Sequence, residues 1–302
     1  MTTSAFHAVS IVADDGVRLA ATRVGRRAAA ATLVYVHPLL RERRFWAPVT
    51  TGVHEHLCGA VTQLTYDQRG HGDSQAPPSG EVTTVTRLAE DLDTVLAHAS
   101  GSVVLVAHST GAHLVHAYAT THREKARALA GLVFLNASVD PPVLARYLRR
   151  WPQRLIRLRR YRGLGAVTAA GEAVLGYRLV HPDGHRRALG SAERRVRVDV
   201  LAAHAGFGFF TGVATGLRHI PSAVLVGEQD PLVPPQRAVR LADALWADYD
   251  IVPGAGHDLP RTHPAHATDT ITTTLDLALR THLEQTTTSA HTPDTDPSGA
   301  VR

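Results

Sequence analysis

The stretch Val103-Val104-Leu105-Val106-Ala107-His108-Ser109-Thr110-Gly111 constrains this chain more than any other, because it turns an apolar run directly into a hydroxyl. Val103 to Val106 read as a buried strand. A small residue, a serine and a glycine at alternate positions (Ala107, Ser109, Gly111) then read as a sharp turn into a helix starting near Ala112. Such a turn strains its middle residue and pushes the hydroxyl out above the sheet. Ala107 and Gly111 must be small because strand and helix cross closely there. An A-x-S-x-G pentapeptide by itself also fits a serine helix cap. The weight therefore falls on the rest of the chain.

An acid and a base follow. Val224 to Pro231 is another short apolar run, ending in Glu228, Gln229 and Asp230 before a proline that stops pairing. A carboxylate there sits at the carboxyl end of a parallel strand, where open α/β sheets place their sites. Tyr249 to His257 is a further strand, whose loop Pro253-Gly254-Ala255-Gly256 delivers His257 to the same edge. A serine hydroxyl is a poor nucleophile until an imidazole takes its proton, and the imidazole needs a carboxylate to fix its tautomer and stabilise its charged form. Either Asp230 or Glu228 has the chemistry to orient His257.

With Val34-Tyr35-Val36-His37, Tyr66 to Ser74 (YDQRGHGDS) and Pro253-Gly254-Ala255-Gly256-His257, the chain resembles the α/β-hydrolase superfamily. The likeness is to its capped, cofactor-independent serine hydrolases, the esterase, lipase and haloperoxidase-like group, and runs from about Val9 to about Leu283 with a break near 140–220. The resemblance implies a mostly parallel sheet flanked by helices, with a helical cap insertion. It implies that Ser109, Asp230 and His257 are catalytic, Asp230 matching the family position just before a proline. It also implies an oxyanion hole from the Thr110 and Leu39 N–H groups. Two positions depart from the pattern: Pro38 stands where glycine is usual, and Ala112 where a second glycine is common. Pro38 is not the implied donor, but its fixed φ alters the loop and pushes His37 toward extended backbone. An epoxide hydrolase or haloalkane dehalogenase is disfavoured, since such relatives carry aspartate where Ser109 stands.

The βα alternation places strands near 31–37, 61–67, 102–108, 131–137, 222–228 and 249–253, after a hairpin from Val9 to Val24 around Asp14-Asp15-Gly16. The clearest amphipathic helix is Val85–Ala97. The expected organisation is a core of residues 1–138, a helical cap of 139–220, a second core segment of 221–284 and a disordered tail of 285–302 rich in Thr, Pro, Ser and Asp. The net charge is +5 and uneven. Between Arg146 and Arg197 arginines greatly outnumber Glu172, Asp183, Glu193 and the adjoining Asp199. These arginines are either the solvated face of lid helices or an attraction for an anionic partner. Nucleic acid is a poor candidate, because no nucleic-acid motif accompanies them.

Phe207, Phe209 and Phe210 at the far end of the cap, and Trp46 in the oxyanion loop, are candidate substrate-binding residues, although such clusters are usually core. His37, His71 and His108 are read as supports of the loops around the site, and no histidine pair shows metal-ligand spacing. The expected protein needs no cofactor and no metal. Cys58 is the single cysteine and lacks a paired base. No apolar run reaches membrane-spanning length and no signal-peptide pattern opens the chain, so a cytoplasmic location without integral membrane association is expected. The expected partner is a small-molecule acyl substrate, anionic or carrier-bound if the arginines serve it. The reaction implied is cleavage of an ester, thioester or lactone. The rivals are a non-hydrolytic enzyme of the same fold (elimination, cyclisation or perhydrolysis) and a non-catalytic binding module.

Overall fold

The computed structural model describes residues 6–26, 28–39, 41–78, 81–138, 200, 203–204 and 211–290. The strands are β1 (His7–Val12), β2 (Arg18–Val24), β3 (Ala31–Val36), β4 (Thr62–Tyr66), β5 (Ser102–His108), β6 (Gly131–Leu135), β7 (Ser222–Gly227) and β8 (Asp248–Val252). The helices are α1 (Ala47–His56), α2 (Val85–Leu96), α3 (Gly111–Thr121), α4 (Arg123–Arg127), α5 (Thr211–Thr215), α6 (Pro235–Leu245), α7 (Leu259–Thr262) and α8 (Pro264–Ala290). A 3-10 turn, Arg43–Trp46, precedes α1.

The strands form one sheet in the order β1-β2-β4-β3-β5-β6-β7-β8. β1, β2 and β4 pair antiparallel, and every other pairing is parallel. Gly16 turns the β1–β2 hairpin at φ +82, a conformation only glycine adopts freely. The central strands β3, β4 and β6 are buried along their whole length, as sheets covered on both faces require. Alternate residues feed two cores. Val34, Val36, Leu105 and Ala107 pack with α2, α3 and α6 on one face. Leu33, Tyr35, Val104 and Val106 pack with α1 and α8 on the other. Burying each large aliphatic side chain contributes about 1.5–3 kcal/mol.

Parallel crossovers carry all the following loops to one edge of the sheet. The loops after β3, β4, β5, β6, β7 and β8 therefore converge there, at the carboxyl ends of their strands. α8 continues to Ala290, so the backbone of 285–290 is helical where composition suggested a tail. Most of the expected cap, 139–199 with 201–202 and 205–210, lies outside the described residues. Among the described residues no helix is long and apolar enough to cross a membrane.

Candidate active site

Ser109 stands at the end of β5 with φ +52, a left-handed backbone that costs a non-glycine residue of order 1–2 kcal/mol. The strain is held from both sides. The Ser109 N–H donates to the Leu135 carbonyl of β6 at 3.0 Å, and the Ser109 carbonyl accepts the Ala112 N–H at 3.1 Å, opening α3. A Cβ on Gly111 would lie 2.7 Å from the Val36 carbonyl oxygen, so α3 can start this close to β3 only with glycine there.

His257 arrives on the loop after β8. Its Nε2 is 3.0 Å from Ser109 Oγ and its Nδ1 is 2.8 Å from Asp230 Oδ2. Asp230 is buried after β7 and accepts four hydrogen bonds. Two come to Oδ1 from the Leu232 and Val233 N–H groups at 2.8 and 2.9 Å, and two to Oδ2 from His257 and from Asn136 Nδ2. Burial opposes the charge of Asp230, but His257 and these donors outweigh it and hold the carboxyl below its ordinary value. Glu228, by contrast, is exposed and accepts the Gly254 N–H at 3.0 Å. Of the two carboxylates, only Asp230 reaches the imidazole.

Three further residues complete this side. Asn136 follows β6 with φ +48, and its Nδ2 bridges Asp230 Oδ2 at 2.6 Å and the Gly256 carbonyl at 3.2 Å. His108 Nε2 donates to the carbonyl of His257 at 2.8 Å, and burial outweighs that bond and keeps the ring neutral, its pKa lowered to about 3. Arg41 pairs with Asp258 at 2.6 Å, tying the loop after β3 to the residue beside His257. Neither Asn136 nor Arg41 was foreseen. The signal for Asn136 is a polar residue directly beyond the buried run Gly131–Leu135, at a strand's carboxyl end.

The other side of Ser109 is built differently. The Leu39 N–H, an implied oxyanion donor, gives its proton to Thr110 Oγ1 at 2.7 Å. The reason lies in the preceding peptide. The Pro38 carbonyl accepts the Arg41 N–H at 3.2 Å and faces His37 Nδ1 at 2.9 Å. Because the Gln68 N–H donates to His37 Nε2 at 2.9 Å, the proton of this neutral ring sits on Nδ1 and bonds Pro38. Burial, reinforced by a smaller repulsion from the neighbouring His71, lowers the His37 pKa to about 3. A peptide is planar and trans, so a carbonyl fixed on one side aims its amide at the other. Turning Leu39 N–H elsewhere would break three hydrogen bonds, each contributing about 0.5–1.5 kcal/mol.

Trp46 is not brought to the site. It is fully buried, 5.2 Å from Tyr35 and edge-on to His108 at 6.4 Å, and its bulk belongs to the core beneath the edge. Phe207, Phe209 and Phe210 lie outside the described residues. Among the described residues no group of three His, Cys, Asp or Glu side chains is arranged to hold a metal ion. A cleft of about 270 Å³ between β7, β8 and α8 opens at Ser222 and Asp248, the amino ends of those strands, away from Ser109.

A strained serine ending the central strand of a mostly parallel sheet, with an acid and a histidine following later strands, defines the class of α/β-hydrolase-fold proteins. This chain belongs to the alpha/beta hydrolase family, whose sequence profile matches residues 33–269. A thermophilic esterase from Thermogutta terrifontis superposes with a TM-score of 0.68 at 26% identity, over 90% of this chain and 99% of that one. The enol-lactonase from Burkholderia xenovorans LB400 shares the fold with a TM-score of 0.67 at 20% identity, over 89% of this chain and 100% of that one. A Bacillus subtilis (strain 168) protein, provisionally assigned as a 2-succinyl-6-hydroxy-2,4-cyclohexadiene-1-carboxylate synthase, is 32% identical over 125 residues. That match spans 40% of this chain and 42% of the relative.

Proposed function

We propose that this protein is a serine hydrolase that cleaves a carboxylic ester, thioester or lactone through an acyl-enzyme on Ser109. The observation that carries the reading is the hydrogen-bonded series Ser109 Oγ, His257 and Asp230, at 3.0 and 2.8 Å, on a backbone held at φ +52. Ser109 attacks the carbonyl carbon as His257 Nε2 takes its proton. Asp230 keeps the other imidazole proton on Nδ1 and offsets the charge that forms. Donors beside Ser109 stabilise the oxyanion. The tetrahedral intermediate collapses as His257 returns the proton to the leaving oxygen or sulfur. Water, activated by the same imidazole, then releases the acid and regenerates Ser109. The esterase and enol-lactonase among the structural relatives support this substrate class.

A second reading keeps Ser109 and His257 but adds no water. The synthase name of the Bacillus subtilis relative favours it, as does the Leu39 amide turned onto Thr110. The two readings part in labelled water, because hydrolysis places solvent oxygen in the acid product. The first experiment is stoichiometric labelling by a fluorophosphonate, read by intact mass, in wild type and Ser109→Ala. Labelling in the wild type alone is the expected result. A folded wild type that stays unlabelled counts against an activated nucleophile and favours a binding role.

A further inference from the structure

We infer that Thr110 supplies both proton donors of the oxyanion hole, its main-chain N–H and its side-chain O–H, with the Leu39 amide one step behind. The inference rests on Ser109 being the nucleophile.

Four observations lead there. First, the Leu39 proton is already spent on Thr110 Oγ1 at 2.7 Å. Second, that peptide is held in place by donors to the Pro38 carbonyl, from Arg41 N–H and from a His37 ring itself pinned by Gln68 N–H. Third, Thr110 precedes α3 with a backbone that is already helical (φ −64, ψ −14), so its hydroxyl caps no N–H of that helix. Fourth, Thr110 Oγ1 acts as an acceptor toward Leu39, and among the described residues neither its hydroxyl proton nor its N–H has an acceptor. A hydroxyl has one proton to give. Accepting a hydrogen bond from an amide polarises it, so the proton it gives is given more strongly.

The step is a hydrogen-bond relay in which no covalent bond changes. As Ser109 adds to the carbonyl, negative charge gathers on the substrate oxygen. The Thr110 N–H and O–H meet it, and the Leu39 N–H stabilises the partial charge passed back to Oγ1. The loop after β3 thus contributes through the side chain of the residue next to the nucleophile. This gives position 110 a chemical requirement, a hydroxyl, where a hole of two amides would ask only for a backbone.

The test uses the full chain with Thr110→Val, which keeps the shape and removes the hydroxyl, and Thr110→Ser, which keeps it. Hydrolysis of a p-nitrophenyl ester gives kcat and KM, and the rate of fluorophosphonate labelling gives an independent measure. Losing one oxyanion donor lowers kcat by about 10²- to 10³-fold. The expected result is that loss in kcat and in labelling rate for Thr110→Val, with KM within about threefold, and near wild-type values for Thr110→Ser. Thr110→Val as fast as wild type overturns the inference, since the freed Leu39 amide then serves the hole directly. Thr110→Ser as slow as Thr110→Val overturns it too, because the methyl group and not the hydroxyl would carry the effect. A wild type that neither labels nor turns over overturns the proposed function, and this inference with it. A labelled wild type matched by Thr110→Val overturns this inference alone.

Discussion

The two sides of Ser109 are held by different kinds of group. On the base side, side chains meet side chains: His257 lies against Asp230, and Asp230 against Asn136. On the oxyanion side, a backbone peptide is oriented by side chains around it, with His37 on its carbonyl and Thr110 on its amide. The difference teaches where each kind of damage will show. On the proposed mechanism, losing a side chain on the base side removes a chemical function outright. Losing one on the oxyanion side releases a backbone that can still turn.

The largest effect is expected on the base side. Asp230→Asn should fold normally and lose roughly 10⁴-fold in kcat, because the amide favours the wrong imidazole tautomer. Glu228→Gln, on an exposed carboxylate, should leave kcat within about twofold. Steady-state kinetics on both variants checks this, and the reverse pattern would exchange the roles of the two acids.

Acid should collapse both sides together. His37 and His108 have pKa values lowered by burial to about 3, His71, His113 and His116 to about 4, and His204 well below its ordinary value. Below pH about 6.5 the unfolded chain binds protons that the folded chain refuses. Their contribution to stability is therefore complete above about 6.5 and shrinks by about 1.4 kcal/mol per pH unit for each histidine below it. Six such groups would exhaust a net stability of about 5–15 kcal/mol within roughly two units. Circular dichroism against pH should show a steep loss of structure near pH 5, taking up several protons. A chain still folded at pH 4 would contradict the lowered pKa values of these rings.

A smaller effect sharpens the oxyanion side. His37→Phe leaves the Gln68 N–H buried without a partner, which costs about 1–3 kcal/mol. It also frees the Pro38 carbonyl, so kcat should fall about tenfold with KM little changed. Chemical denaturation and kinetics on the same sample separate the two effects. Smallest of all, Asn136→Ala should lower kcat by only a few-fold, since Asp230 keeps its two main-chain donors and His257. A loss as deep as that of Asp230→Asn would make Asn136 part of the acid itself.

The same contrast explains what could be read in advance. Ser109, Asp230 and His257 are legible because residue type and chain order mark them, and the βα rhythm brings them to one edge. The direction of the Leu39 N–H is not legible, since every residue but proline carries one. Pro38 marks that loop as unusual, but only the hydrogen bonds of its carbonyl show which way the peptide faces. Trp46 is a candidate ligand contact only by its place in the oxyanion loop, next to Phe45. A large apolar ring on a 3-10 turn packed under a sheet goes inward instead. Residues 285–290 continue α8 despite their threonine-rich composition, because the helix is anchored upstream by Ala267, Ile271, Leu275 and Ala278 in the core.

The left-handed backbone at Ser109 filters what can ever replace it. Threonine carries the same hydroxyl and would be an acceptable nucleophile on chemical grounds. Its branched Cβ is a poor fit to a φ of +52, whereas aspartate, asparagine and glycine tolerate that region. Drift at this position is thus channelled by the geometry of the turn before selection on activity begins. Single mutations that swap serine for its closest chemical analogue meet a steric wall, and those that alter the chemistry most have the open road.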